Sequence, residues 1–203
     1  FDIPSTLGYV NIGSITVRNP IENNTHYLGK GGVFLSNDGN VAAVSFQNFP
    51  SSDDKGSIVV YEYKVPTSAE WNNQPNDNVF KVIKGSDTEQ VNNKKYWTQR
   101  GETISNISAL PPGSDLNNTF LICMNSIGNK IAYANGDIVT TKKYDYNSGL
   151  WLDLGRDPIS FSSNNSSPNG IYSIEFDLNG DRIVIGWGSK YDSIPNTGRV
   201  SVY

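Results

Sequence analysis

The chain has one cysteine, one histidine and one methionine among 203 residues, and only 18% of its residues are charged. Cys123 has no second thiol to meet, which excludes an internal disulfide. His26 alone cannot build a two-histidine metal site, and its polar Asn-Asn-Thr-His setting reads as loop. No apolar run approaches the length of a membrane span; the longest, such as Ile183 to Trp187, have strand length. The net charge is -4, so nucleic acid is not an expected partner. There is no phosphate loop and no dinucleotide fingerprint. The Ser-rich stretch from Ser160 to Ser167 lacks the glycine pattern of a nucleophile elbow. The 20 acids single out no carboxylate pair of the kind glycoside hydrolysis needs. The chain therefore reads as non-enzymatic.

What fills the space left by charge is short and polar: 25 Asn, 23 Ser, 19 Gly and 10 Pro. These residues break helices and build turns. The 11 Tyr, 8 Phe and 4 Trp supply a core, which excludes general disorder. The composition predicts an all-β protein.

The chain also repeats itself. Two apolar runs flank an Asn/Asp-Gly-type turn three times: Val33 to Phe46 around Gly39, Phe120 to Ala134 around Gly128, and Tyr172 to Gly186 around Gly180. Such turns accept positive φ and join antiparallel neighbours. A glycine leading alternating β-branched residues recurs at Gly13–Val17, Gly56–Val60, Gly136–Thr140 and Gly198–Val202. The period of two predicts half-buried strands. An aromatic residue shortly before glycine recurs at Trp97–Gly101 and Trp151–Gly155, with a degenerate copy at Tyr27–Gly29. Gly128 and Gly180 are 52 residues apart, and Trp97 and Trp151 are 54 apart. A four-stranded unit at this spacing predicts a β-propeller-like array of antiparallel blades. The expected units are residues 30–101, 113–155 and 170–203, with an N-terminal strand at 13–17, all in one domain spanning 1–203. The first unit carries an insertion at 64–95, with one short β-like run from Val79 to Ile83.

The run Leu-Ser-Asn-Asp-Gly-Asn, then Gly-Ser-Ile-Val-Val-Tyr-Glu-Tyr, then Trp-Thr-Gln-Arg-Gly resembles a degenerate FG-GAP-like blade of the integrin α-chain type. Similar repeats occur in surface proteins of marine bacteria and algae and in giant DNA viruses. The resemblance covers residues 13 to 203 outside the insertion. It implies a propeller fold, hosted by adhesion, lectin, scaffold and enzyme proteins alike. It also implies calcium in some hairpin turns. Here the second unit departs at Asn125-Ser-Ile-Gly128, which lacks the acid.

The candidate calcium ligands are Asp177, Asn179 and Asp181. Calcium takes six to eight oxygens, so three local ligands fall short and the stretch reads first as a hairpin turn. Asp53 and Asp54 read as solvated loop. Trp97 and Trp151 repeat at equivalent places and read as core or blade-interface residues. Trp71, in the insertion, and Trp187, before the polar stretch Gly188 to Thr197, lie off that pattern. They are the candidate ligand-stacking residues. Cys123 reads as a small core residue. Asn-x-Ser/Thr sequons stand at Asn23, Asn106, Asn117, Asn164 and Asn165, pointing to surface loops in an extracellular or virion-surface setting.

Three units are fewer than the four to eight blades of closed propellers. The insertion could supply a further blade, the chain could be a segment of a longer propeller, or copies could complete one another. Phe1 as first residue and Tyr203 within a strand lead to the expectation of a segment. The leading functional expectation is adhesion or scaffolding through loops, with a protein or glycan partner. The alternatives are a structural part of a viral or extracellular assembly, and a lectin or carbohydrate-active enzyme.

Overall fold

The computed structural model describes residues 27–47, 55–72, 81–108, 121–135, 138–155, 158–160, 169–189 and 198–203. The predicted N-terminal strand at 13–17, His26, the Asp53-Asp54 pair and the sequons at Asn23, Asn117, Asn164 and Asn165 lie outside them. The described chain is all-β apart from one short helix, and it forms three antiparallel sheets, none closed into a barrel.

The first sheet begins with the hairpin of β1 (Tyr27–Leu35) and β2 (Val41–Gln47), continues to β3 (Lys55–Lys64), and ends with β4 (Val82–Ile83) and β5 (Tyr96–Gln99) in the order β1-β2-β3-β5-β4. A further strand, β6 (Ile104–Ser108), also pairs with β3. The second sheet runs β10-β9-β8-β7, built from β7 (Ile122–Met124), β8 (Lys130–Asn135), β9 (Ile138–Asp145) and β10 (Leu150–Asp153). The short β11 (Ile159–Ser160) pairs with β9. The third sheet is β12 (Asn169–Phe176), β13 (Ile183–Ser189) and β14 (Gly198–Val202). Each expected hairpin is present as an antiparallel pair, and the glycine-led runs at 56–60 and 198–202 lie in β3 and β14.

Alternation decides which residues meet. On β2, Val41 and Ala43 face one way, while Ala42, Val44 and Phe46 face the other. The first set packs, with Ile58 and Val60 of β3, against Ile131, Tyr133 and Trp151 of the second sheet. The second sheet's other face, with Cys123, Ala132, Ala134 and Val139, packs against Ile171, Ile174 and Ile185 of the third. Small side chains on one face thus receive large ones from the next sheet, which lets the layers approach closely. The outer face of the first sheet is also covered: Phe46, Val59 and Tyr61 are buried.

The aromatic-to-glycine segments have a common role. Trp97 on β5 lies opposite Tyr63 on β3, and Trp151 on β10 lies opposite Tyr144 on β9. The ring centroids are 5.4 and 5.3 Å apart. Such cross-strand aromatic pairs tie one strand to the next within a sheet. Both tryptophans are buried, as core residues.

The insertion departs from pure β structure. Its helix α1 (Ser68–Asn72) was not anticipated, although its start is written in Thr67-Ser-Ala-Glu70. Glu70 N–H donates to Thr67 Oγ1 at 3.2 Å, and Thr67 N–H donates to Glu70 Oε2 at 2.7 Å. This is a capping box.

Ile131 sits in the centre of the first inter-sheet core. Ile131→Ala is expected to cost about 2–5 kcal/mol. Gly101 has φ +74°, and a Cβ there would lie 2.8 Å from Trp151 Cδ1. Gly101→Ala is therefore expected to destabilise as well, by about 1–3 kcal/mol. Urea titration of both variants checks the pair.

Candidate functional site

The three hairpin turns are the most regular feature of the molecule. Each opens on a residue with a short side chain bearing an oxygen: Ser36, Asn125 and Asp177. Three residues later comes glycine at positive φ: Gly39 at 71°, Gly128 at 74° and Gly180 at 68°. The glycine N–H donates to the carbonyl of the opening residue each time, at 2.9, 3.0 and 3.0 Å. The opening side chain then accepts from the amide five residues on: Ser36 Oγ from Val41, Asn125 Oδ1 from Lys130, and Asp177 Oδ1 from Arg182. Ser, Asn and Asp are interchangeable here because the turn needs only a short acceptor.

The turns stack on one another. Asn37 N–H donates to Ser126 O at 2.8 Å, and Ser126 N–H donates to Leu178 O at 3.2 Å. Ser126 Oγ also donates to Leu178 O. The glycine of each later turn seats against the preceding hairpin, Gly128 against Val41 and Gly180 against Lys130. Asn125 is the hub. Its side chain is buried, accepts from the Asn129 and Lys130 amides, and donates to Asn179 O at 3.1 Å.

The calcium candidates fall in the third turn, and their oxygens already have work. Asp177 Oδ1 accepts from Asp181 N–H at 2.7 Å and from Arg182 N–H at 3.2 Å. Desolvation works to raise the Asp177 carboxyl, but the amides of Arg182, Asp181 and Gly180 together hold it below its ordinary value. The Asn179 carbonyl accepts from Asn125. Asp181 takes the Lys130 ammonium at 2.8 Å, tying the second hairpin to the third. Among the described residues, no three His, Cys, Asp or Glu side chains gather around one point that could hold a metal ion. In the first turn the Ser36 hydroxyl, then the Asn40 side chain and amide, draw the Asp38 carboxyl down to about 2.

Trp71 is buried, with 6% of its surface exposed. Tyr96 lies at its edge with centroids 5.1 Å apart, and Lys84 Nζ is 4.4 Å from its ring centroid. It is the centre of a small core with Val82 and Tyr96, not an open platform. Trp187 is half-buried against the core between the second and third sheets, and its Nε1–H donates to Ser201 Oγ at 3.1 Å. Trp71 lies on α1 and Trp187 on β13 of the third sheet, in separate core clusters, and the two are not brought together. Asn106 lies within strand β6, not in the loop its sequon suggests. Cys123 is buried between sheets, and burial, with Glu175 nearby, pushes its thiol up to about 12.

A second inter-sheet clasp escaped sequence reading. Arg100, at the end of β5, is buried with its guanidinium 4.4 Å from the Tyr144 ring centroid and 5.0 Å from that of Tyr146. Its Nη1 donates to Gly128 O, and its carbonyl accepts from Trp151 Nε1 at 3.0 Å. Glu102 accepts from Trp151 N–H. The Trp-Thr-Gln-Arg-Gly run announces this clasp only as a repeat mark; its partners are far away in sequence.

The insertion carries a built surface. Glu70 pairs with Lys64 at 2.9 Å, Asp87 accepts from Lys94 and Tyr96 at 2.6 Å each, and Gln90 Nε2 donates to Pro66 O at 2.7 Å. Around this framework Val65 and Val91 stand exposed. No helix among the described residues is long and apolar enough to cross a membrane.

No protein-family model and no curated protein matches the chain. Among solved structures it is similar to a protein from Lactobacillus plantarum, at 13% identity and a TM-score of 0.40, over 83% of this chain and 36% of that one. The chain thus spans about a third of that protein's length.

Asn125→Ala would remove the acceptor of two part-buried amides, Asn129 and Lys130, and the donor to the Asn179 carbonyl. The expected loss is about 1–3 kcal/mol, larger than for Asp177→Ala, whose turn is nearer to solvent. Denaturant unfolding of the two variants checks the order. The low pKa values of Asp38 and Asp177 make the ionised carboxylates stabilising. That stabilisation is full above the unfolded carboxylate value of about 4 and is lost as pH falls, through about 2 for Asp38, with Asp177 contributing in the same direction. The double variant Asp38→Asn/Asp177→Asn is expected to show a flatter midpoint-versus-pH curve over that window.

Proposed function

We propose that this chain is a non-enzymatic interaction module of propeller-like build, acting in adhesion or scaffolding through the insertion of its first sheet. One observation carries the reading. The insertion interrupts an otherwise regular repeat, yet it has its own core, capping box and ion pairs. Insertions in repeat proteins collect on binding faces, and a segment whose described part is held by its own contacts loses less entropy on binding. The propeller-like reading rests on the equivalent turns and on the face-to-back order of the sheets. The sequons support an extracellular or virion-surface setting. A structural role in a larger assembly is the second reading, favoured by the apolar residues left exposed on the third sheet, Val200 and Val202.

The test is binding to a panel of immobilised extracellular-matrix and cell-surface proteins, beside a glycan array. Binding to a protein, lost in Val65→Lys/Val91→Lys and kept in Trp187→Ala, is expected. Glycan binding lost in Trp187→Ala, with no protein bound, would replace this reading with the lectin.

A further inference from the structure

The residue before the turn glycine differs in chemistry among the three equivalent hairpins: Asp38, Ile127 and Asn179. Ile127 carries no reactive group. Asp38 is an ionised carboxylate held by Ser36 and Asn40, and it offers no leaving group. Asn179 is an exposed amide followed directly by glycine.

That pair is chemically labile. Glycine puts no side chain in the way, so the Gly180 nitrogen can attack Cγ of the Asn179 side chain. The N–Cγ bond forms, the Cγ–Nδ2 bond breaks, and ammonia leaves with the proton of the Gly180 amide. Water then opens the five-membered imide at one of its two carbonyls. One opening leaves aspartate at position 179. The other leaves isoaspartate, in which the main chain runs through the side chain and is one methylene longer.

In the folded chain the reacting peptide is held. Gly180 N–H donates to Asp177 O at 3.0 Å, and Gly180 O accepts from Lys130 Nζ at 3.0 Å. The Asn179 carbonyl accepts from Asn125 Nδ2 at 3.1 Å. Gly180 is buried, and a Cβ there would lie 2.8 Å from Lys130 Cδ and 3.0 Å from Asn125 Cβ. Asn125 and Lys130 both belong to the second hairpin. The attacking nitrogen therefore cannot turn toward the side chain until the third turn leaves its seat on the second hairpin.

We infer that Asn179 is a deamidation site gated by this seam: the amide persists while the second and third hairpins are seated and reacts when they part. The product acts back on the seam. The extra methylene of isoaspartate displaces the Asn179 and Gly180 carbonyls from each other, so Asn125 and Lys130 no longer meet both. An opening that ends in reaction cannot reseat, and a reversible local fluctuation becomes a one-way change. This inference is independent of what the insertion binds.

Ageing at mildly alkaline pH tests it. Samples of the folded parent, and of the parent held unfolded in guanidinium chloride, are digested at intervals. Mass and retention time of the peptide spanning position 179 separate the asparagine, aspartate and isoaspartate forms, and resolve them from the other Asn-Gly pairs at 135–136 and 169–170. Loss of Asn179 is expected to be at least about tenfold slower in the folded chain than in the unfolded one. Asn125→Ala and Lys130→Met each release one holding bond and are expected to react several times faster than the folded parent. Circular dichroism checks that they are folded, and Lys130→Met carries the comparison if Asn125→Ala is not. The aged parent should lose melting temperature in step with isoaspartate at position 179, whereas Asn179→Gln, whose longer side chain does not close the five-membered ring, should keep its own. No reaction at Asn179 in the unfolded chain, equal rates in the folded and unfolded chains, or folded variants no faster than the parent would overturn the gated site. An aged parent rich in isoaspartate at 179 that melts like the fresh protein would overturn its action on the seam.

Discussion

Everything in this fold depends on a single contact between neighbouring turns: one backbone N–H reaching the carbonyl of the next hairpin. A sheet in water must cover both faces, and sheets can slide across one another unless something sets their offset. The bonds from Asn37 to Ser126 and from Ser126 to Leu178 set it. With the turns locked, Val41 and Ala43 fall opposite the second sheet's large side chains, and Ala132 and Ala134 fall opposite the third's. The glycines at the turns serve this contact twice. They accept the positive φ of the hairpin, and at Gly128 and Gly180 they leave room for the side chain of the preceding hairpin.

Polar residues hold the turns in shape, and this explains a composition rich in Asn and Ser but poor in charge. An interior turn cannot lean on water for its amides, so its opening residue must supply an acceptor. Asn125, the most enclosed of the three, has a neutral amide that both accepts and donates. Asp177, nearer to solvent, is an acid. The carboxylates that resemble a metal loop in the sequence are, in the structure, turn caps and an inter-sheet ion pair to Lys130.

Much of the fold was legible in the sequence because its signals are local. Alternating β-branched runs gave the strands, and Asn/Asp-Gly-type turns gave the hairpins around Gly39, Gly128 and Gly180. The equivalent places of Trp97 and Trp151 were legible as a repeat. The helix at Ser68–Asn72 was legible too, in the Thr67 to Glu70 capping box, but it was hidden by the weight of β-type composition around it. The hub at Asn125 was read as a departure from the pattern because it lacks an acid, when the turn requires only an oxygen. Arg100 and its two tyrosines could not be read at all, since residues over 40 positions apart meet only once the sheets stack. Trp71 illustrates the same limit: a tryptophan outside the repeat pattern suggested a ligand platform, and folding placed it inside the insertion's own core.

The most direct measurement is amide hydrogen exchange at three equivalent positions, Asn37, Ser126 and Leu178. Among the described residues Asn37 and Ser126 donate to the next turn and Leu178 N–H has no backbone carbonyl to reach. The account predicts strong protection at Asn37 and Ser126 and faster exchange at Leu178. Exchange at Asn37 and Ser126 as fast as at Leu178 would contradict a turn ladder that sets the register of the sheets.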